Sequence, residues 1–238
     1  VSSRRQRQMC IRDRYNSNNL RMPKTEKLEF QTEVSQLLKL MINSVYSEKE
    51  VFVRELVSNA SDACDKLRYL ANTKEKVMQD DPNLKVEINI NKKDSKISFI
   101  DNGIGMNRKD LINNLGTIAR SGTAQFLKEL KDSKTKDLSL IGQFGVGFYS
   151  AFMVSSEIQV TTRKAGEKNV WIWKSDGESK FSIMENDDLN LLNSNRGTRI
   201  DLQIEKENKE FLDKIRIEQI IRKYSDHILS LIHLSEPT

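Results

Sequence analysis

Apolar residues recur along this chain at two spacings, one typical of helices and one typical of strands. Spacings of three and four over 30–45 predict a helix, and the run 55–66 predicts a second. Alternating apolar and polar residues then predict strands at 86–90, 96–100, 158–162, 170–174, 180–184 and 198–204. Further helices are predicted at 109–115, 123–130, 148–154 and 210–228. Because strands and helices segregate more than they alternate, the predicted fold is α+β, a two-layer sandwich of helices on a mostly antiparallel mixed sheet.

The helix over 55–66 carries a polar stripe: Glu55, Asn59, Asp62 and Lys66. At ~100° per residue these four side chains lie within about 60° of one another, between an apolar arc and a solvated one. Two carboxylates, an amide and an ammonium in one column can hold a hydrated cation and remove a proton from a water. The alternative is a solvated face with pairs between charges four residues apart.

A second candidate site, Asp-Asn-Gly-Ile-Gly-Met over 101–106, directly follows the strand at 96–100. The Asp101 carboxylate can accept a hydrogen bond from an amino group, and glycines let a flat ring approach the backbone, which suits adenine. An ordinary Asp-Asn-Gly turn is the alternative. A calcium loop is disfavoured because acidic ligands at alternating positions are missing.

A third candidate site is the glycine-rich segment 142–148, which leads into the predicted helix at 148–154. Backbone N–H groups at a helix N-terminus form an anion cradle, so phosphate is the expected guest. A flexible loop or tight helix packing remains the alternative. The order G-x-x-G-x-G fits neither the dinucleotide fingerprint nor a P-loop.

Composition and charge exclude several classes of protein. With 37% apolar and 31% charged residues, the chain is typical of a soluble globular protein, and no apolar stretch approaches the ~20 residues that span a bilayer. Two cysteines support neither a disulfide framework nor a zinc site, and a cytoplasmic location is expected. Of 39 basic and 34 acidic residues, six arginines and one aspartate lie in 1–21, which leaves 33 of each sign in 22–238 and no basic field for nucleic acid.

The two ends of the sequence differ from its body. Residues 1–21 lack apolar periodicity and read as disordered. They are interpreted as a basic nucleic-acid arm, a transit peptide or non-native leader sequence, and their resemblance to adapter read-through favours the third. The same argument marks 229–238 as a non-native tail. The predicted folded domain is therefore 22–228.

Together the three candidate sites predict an ATP-binding site. Their sequence motifs resemble those of one protein family. The strings ELVSNASDACDK, DNGIGM, LGTIARSGT and IGQFGVGFYS resemble the nucleotide-binding motifs of the heat-shock protein 90 chaperones. MPKTEKLEF and KYSDHI resemble its bacterial, high-temperature protein G branch. The resemblance covers 26–228 and implies the N-terminal ATPase domain, with a Bergerat-type GHKL fold and ATP and Mg²⁺ as ligands.

The resemblance also implies a role for each site residue. Glu55 would be the general base, Asn59 would coordinate Mg²⁺, and Asp101 would receive the adenine amino group. The remaining nucleotide contacts are implied for Asp62, Gly105, Met106, Asn114, Gly142, Gln143, Phe144, Gly145, Val146, Gly147, Phe148 and Thr198. Residues 116–141 would form a lid over ATP. Arg120 is also implied as a nucleotide contact; it stands where the family usually has lysine, and a planar guanidinium is not interchangeable with an ammonium.

The resemblance implies partners as well as a site. Client proteins and a homodimer of the full-length protein are expected. The resemblance implies that this chain lacks the middle domain, which supplies an arginine to the γ-phosphate, and the C-terminal dimerisation domain, so weak hydrolysis is expected. The rival interpretations are a same-fold ATPase of DNA mismatch repair, a type II topoisomerase or a histidine kinase, and a nucleic-acid-binding module that uses the arginine-rich arm.

Overall fold

The computed structural model describes residues 25–30, 49–73, 77–78, 81–116, 147–178, 180–186, 188, 191–192, 194–224 and 231–236. Within these residues, eight strands form one sheet in the spatial order β1-β6-β5-β4-β7-β3-β2-β8. Their bounds are Thr25–Glu29 (β1), Lys85–Asn91 (β2), Lys96–Asp101 (β3), Ser155–Arg163 (β4), Val170–Ser175 (β5), Lys180–Asn186 (β6), Gly197–Ile204 (β7) and Leu231–Ser235 (β8).

Three α-helices accompany the sheet in the described part of the chain. They are Val51–Ala71 (α1), Arg108–Leu111 (α2) and Lys214–Tyr224 (α3). A π-helical turn at Ile112–Gly116 continues α2, and 3₁₀ helices cover Gly147–Met153 and Lys206–Leu212. None of the helices in these ranges is long and apolar enough to cross a membrane.

All neighbouring strands pair antiparallel except β8, which runs parallel to β2. Along β2 the buried residues alternate with half-buried ones, as expected for a strand with one face on the core. The prediction of an α+β sandwich with a mostly antiparallel mixed sheet is confirmed.

Aromatic side chains join α1 to the sheet. The Phe52 ring meets Phe99 of β3 at 6.1 Å and Phe211 at 5.0 Å between centroids, both edge-on. A second cluster places Trp173 against Phe148 at 5.6 Å. Burying a large apolar side chain contributes ~1.5–3 kcal/mol, so these rings stabilise the contact between the two layers.

Helix α3 docks on the start of α1 through Glu50, which is 8% exposed. Its carboxylate accepts hydrogen bonds from Arg216 (2.7 Å), Lys223 (2.7 Å) and the Tyr224 hydroxyl (2.9 Å). Burial alone would raise the pKa of Glu50, but the bonds from Lys223 and Tyr224 hold that pKa below its ordinary value. The ionised acid therefore fixes α3 beside the first turn of α1.

Most predicted elements are present, and their differences have local causes. The six predicted strands lie within β2–β7. The helix predicted at 148–154 corresponds to the 3₁₀ helix at Gly147–Met153. The single helix predicted over 210–228 is wrong, because Asp213 is extended (φ −92°, ψ 122°) and separates two helices. Charged β1 gave no strand signal. The helices predicted at 30–45 and 123–130 fall, apart from residue 30, outside the described residues, while the predicted tail contributes β8.

Candidate functional site

A cavity of about 490 Å³ lies between α1 and the sheet, a volume typical of small-molecule sites. Every described residue of the predicted nucleotide site lines it: Glu55, Asn59, Asp62, Asp101, Gly105, Met106, Asn114, Gly147, Phe148 and Thr198. The fold thus brings together residues from four separate parts of the chain: 55–62, 101–114, 147–148 and Thr198. Arg120, Gly142, Gln143, Phe144, Gly145 and Val146 lie outside the described residues, as does the predicted lid beyond Gly116.

One side of the cavity is formed by residues 101–107, which begin where β3 ends. We call this segment the base wall, because the sequence analysis predicts that a nucleotide base, adenine, binds there. Asp101 is 7% exposed, and its Oδ1 accepts the Gly103 N–H at 2.9 Å. Burial raises the pKa of Asp101 to about 7, although bonds from the backbone N–H groups of Gly103 and Thr198 oppose the rise. A carboxylate so desolvated favours any ligand that donates a hydrogen bond to it.

Two glycines let the base wall lie close to its neighbours. A Cβ on Gly103 would lie 2.6 Å from the Ala63 carbonyl carbon of α1, and the adjacent Ile104 N–H donates to the Ala63 carbonyl at 3.0 Å. Gly105 has φ +64°, and a Cβ there would lie 1.9 Å from the Arg163 carbonyl oxygen. The wall is therefore packed against both α1 and the end of β4, with no room for side chains at these two positions.

Thr162 of β4 supports the base wall, although it was not among the predicted site residues. Its hydroxyl accepts the Met106 N–H at 2.9 Å, donates to the Gly197 carbonyl at 2.9 Å, and lies 3.0 Å from the Thr198 hydroxyl. In the sequence, Thr162 is one of two threonines at the end of a predicted strand. That position does not reveal which groups its hydroxyl contacts. Thr162 connects the base wall to β7.

The opposite side of the cavity is the polar stripe of α1. Asn59, Asp62 and Lys66 are exposed, whereas Glu55 is 8% exposed. The Arg54 guanidinium donates two hydrogen bonds to Glu55 Oε1, at 3.0 and 2.7 Å. A Cβ on Gly147 would lie 2.1 Å from Glu55 Oε2, so the glycine leaves space for this carboxylate.

The cavity is also lined by residues that the sequence analysis missed. Asp110 and Lys164 form an ion pair at 2.7 Å and line the cavity. Phe99, Val160 and Ile200 contribute apolar surface from three different strands. All three residues lie on predicted strands, but only the order of strands in the sheet brings them to one cavity.

The metal-ligating groups of this site are few. Among the described residues, no group of three His, Cys, Asp or Glu side chains is placed to hold a metal ion. The exposed Asn59 offers an amide oxygen at the cavity, one turn from Glu55. A single oxygen ligand suits Mg²⁺, which keeps several waters and takes further ligands from substrate phosphates.

A glycine-lined wall with a buried carboxylate, opposite a polar helix stripe, defines a nucleotide-binding domain of the α+β class. Comparison with known proteins agrees. Residues 46–214 match the family of histidine kinase-, DNA gyrase B- and HSP90-like ATPases, and the chain belongs to this family.

Individual relatives are similar over most of the chain. It is 54% identical over 205 residues to the chaperone protein HtpG of Rickettsia bellii (strain OSU 85-389), a match that covers 86% of this chain and 32% of the relative. Identity is also 54% over 203 residues to that of Rickettsia rickettsii (strain Sheila Smith), with 85% and 32% covered. Identity to the Rickettsia typhi protein is 51% over 211 residues, with 89% and 33% covered. The chain spans about a third of the length of these relatives.

Proposed function

We propose that this chain is the ATP-binding and ATP-hydrolysing domain of a chaperone that assists the folding of client proteins. One observation carries the proposal: the buried Asp101 faces the same cavity as Glu55 and Asn59. A desolvated acceptor for a base amino group thus lies in one space with a carboxylate able to act as a base and an amide able to ligate a cation.

In the proposed complex the adenine ring lies on the base wall. Its amino group donates to Asp101, with Gly105 and Thr198 contributing through water, while Met106 and Phe148 contact the base and sugar. Asn114 contacts the sugar and α-phosphate. Discrimination against guanine follows, because guanine presents a carbonyl where adenine has its amino group, and two acceptors would then face each other.

The proposed chemistry takes place at the polar stripe. Glu55 takes a proton from the attacking water, and Arg54 holds its carboxylate in position. Asn59 would hold Mg²⁺, which neutralises charge on the phosphates when bound. Asp62 and Lys66 support these groups. Arg120 and residues 142–148 would contact the phosphates.

The chaperone role rests on the relatives. Identity of about 54% to proteins named chaperone protein HtpG favours this role over DNA mismatch repair, DNA topology or kinase activity. Client binding, homodimerisation and action in the cytoplasm are proposed for the longer protein to which these relatives correspond. The charged composition and the two cysteines of the chain agree with a reducing compartment.

The first test is calorimetric titration of the 238-residue chain with ATP and with GTP, both with Mg²⁺. We expect saturable ATP binding and GTP affinity at least about 100-fold weaker, since a polar mismatch in a buried site costs that much or more. Asp101→Asn is the matched control. Its carbonyl oxygen replaces the acceptor used by Gly103, so its NH₂ faces the adenine amino group and ATP affinity is lost while the fold is retained.

Either of two results would overturn the proposal. One is no ATP binding by a chain whose circular dichroism shows it folded. The other is equal affinity for ATP and GTP, which would remove Asp101 as the selecting group.

A further inference from the structure

We propose that the turn between β4 and β5 positions the base wall, with Lys164 and Glu167 as positioning residues for nucleotide binding. This inference rests on the proposed function, since it concerns the same cavity. The turn clamp is defined as Lys164, Ala165 and Glu167, together with the groups they contact on 104–110.

Three contacts join the turn to the segment that carries the base wall. Lys164 Nζ donates to Asp110 Oδ2 at 2.7 Å, and Asn107 Nδ2 donates to Glu167 Oε1 at 2.9 Å. Between them, the Ala165 N–H donates to the Ile104 carbonyl at 2.8 Å. Each contact crosses more than 50 residues of sequence, so each is a tertiary constraint on the wall.

The two charged ends of the turn clamp contact the two residues that cap α2. Asn107 accepts the Asp110 N–H at 3.0 Å, and Asp110 Oδ2 accepts the Asn107 N–H at 3.2 Å. Lys164 therefore binds the same oxygen that caps the helix. A helix of four residues has little stability of its own, so its orientation depends on contacts of this kind.

The clamp also bears on the dimensions of the cavity. Lys164 directly follows Arg163, whose carbonyl oxygen lies against Gly105 of the base wall. Lys164 and Asp110 themselves line the cavity, with side chains 31% and 30% exposed. Releasing the turn lets the base wall move relative to β4, whereas the strand pairing that holds the sheet stays intact.

The decisive experiment measures affinity for adenosine and for ATP, because adenosine carries no phosphate charge. Lys164→Met keeps most of the side-chain stem and removes the ammonium. We expect both affinities to fall by the same factor, about threefold to tenfold, since a half-buried ion pair contributes at or above the upper end of the range for exposed pairs. Lys164→Arg should restore most of the loss.

Three further comparisons make the result specific. Lys168→Met removes an exposed lysine of the same turn and should leave both affinities unchanged. Glu167→Ala releases the other end of the clamp and should reproduce the loss independently of charge at position 164. In an Asp110→Asn background, Lys164→Met should cause no additional loss, because its partner is already neutral.

Other outcomes contradict the inference. Unchanged adenosine affinity in both Lys164→Met and Glu167→Ala would show that the turn does not position the wall. Loss of ATP affinity with normal adenosine affinity would make Lys164 a direct phosphate contact instead. If the wild-type chain bound neither ligand, the proposed function would fail rather than the clamp.

Discussion

The base wall and the polar stripe face each other across one cavity, yet they are built differently. In the base wall, Asp101 is buried, and Gly105 is enclosed by backbone atoms of β4 and β7. In the polar stripe, three of four side chains are exposed, and Glu55 is held by Arg54. Groups fixed by a packed backbone are preorganised for binding, so little conformational freedom is lost when the ligand binds. Exposed side chains are free to adjust around the ligand. Binding and turnover should therefore respond to different substitutions.

The largest expected effect is on turnover and comes from the stripe. Glu55→Gln removes the proposed base but keeps an acceptor for Arg54. Single-turnover hydrolysis of ATP should fall by about 10²- to 10⁴-fold, the usual contribution of general-base catalysis, while ATP affinity stays within about twofold. Rapid-quench measurement of phosphate release with protein in excess provides the check. Undiminished hydrolysis would remove Glu55 from the mechanism.

Next in size is a change in the base wall. Gly105→Ala places a Cβ 1.9 Å from the Arg163 carbonyl oxygen at a residue with φ +64°, so the wall must shift. Forcing an extra carbon into a closely packed site costs about 1–3 kcal/mol, so we expect adenosine affinity to fall by up to about 100-fold.

Gly166→Ala is the matched control for Gly105→Ala. Gly166 has a similar φ of +82°, but a Cβ there meets no atom within 4 Å. Its adenosine affinity should change by no more than a few-fold. Equal losses in both variants would indicate backbone strain rather than closure of the base wall.

Adenosine affinity is expected to change about tenfold with pH, because burial raises the pKa of Asp101 to about 7. Adenine donates to the ionised carboxylate, so adenosine affinity should decrease about tenfold between pH 8 and pH 6. The free energy of unfolding of the unliganded chain depends on pH in the opposite direction. The folded chain binds the Asp101 proton more tightly than the unfolded chain, so this group lowers the free energy of unfolding as pH rises from about 4 to 7.

Calorimetric titration of adenosine at several pH values tests the first trend, and urea unfolding tests the second. In Asp101→Asn, the pH dependence of residual adenosine binding should disappear. If the wild-type affinity did not vary between pH 6 and 8, protonation of Asp101 would not be coupled to binding.

The smallest expected effect comes from the residue that holds Glu55. Arg54→Met removes both hydrogen bonds to Oε1 and frees the carboxylate to rotate. We expect single-turnover hydrolysis to slow about threefold, with ATP affinity unchanged, because the base is still present but less often aligned. Arg68→Met, which removes an exposed arginine of the same helix, should have no effect. A larger loss of affinity than of turnover would place Arg54 in nucleotide binding.

Local residue order was enough to predict much of the fold and the candidate site. Alternation in Val86–Ile90 predicts a strand because side chains point to opposite faces of a sheet, and the helical spacing of Glu55 and Asn59 puts them in one column. The Asp101 turn and its glycines were also readable, since their backbone requirements are local. Charged β1 was missed because an edge strand is held by main-chain bonds that its side chains do not encode.

The sequence by itself therefore determined most of the elements, the class of fold and the chemical groups that the candidate site contains. Only the tertiary structure decided that Thr162 supports Met106, that Lys164 binds Asp110, and that Asp101 is dry enough for its pKa to rise to about 7. The physical reason is that propensity and periodicity act between neighbours in the chain. Hydrogen bonds across more than 50 residues and the loss of water around a carboxylate depend on how the strands are ordered in the sheet.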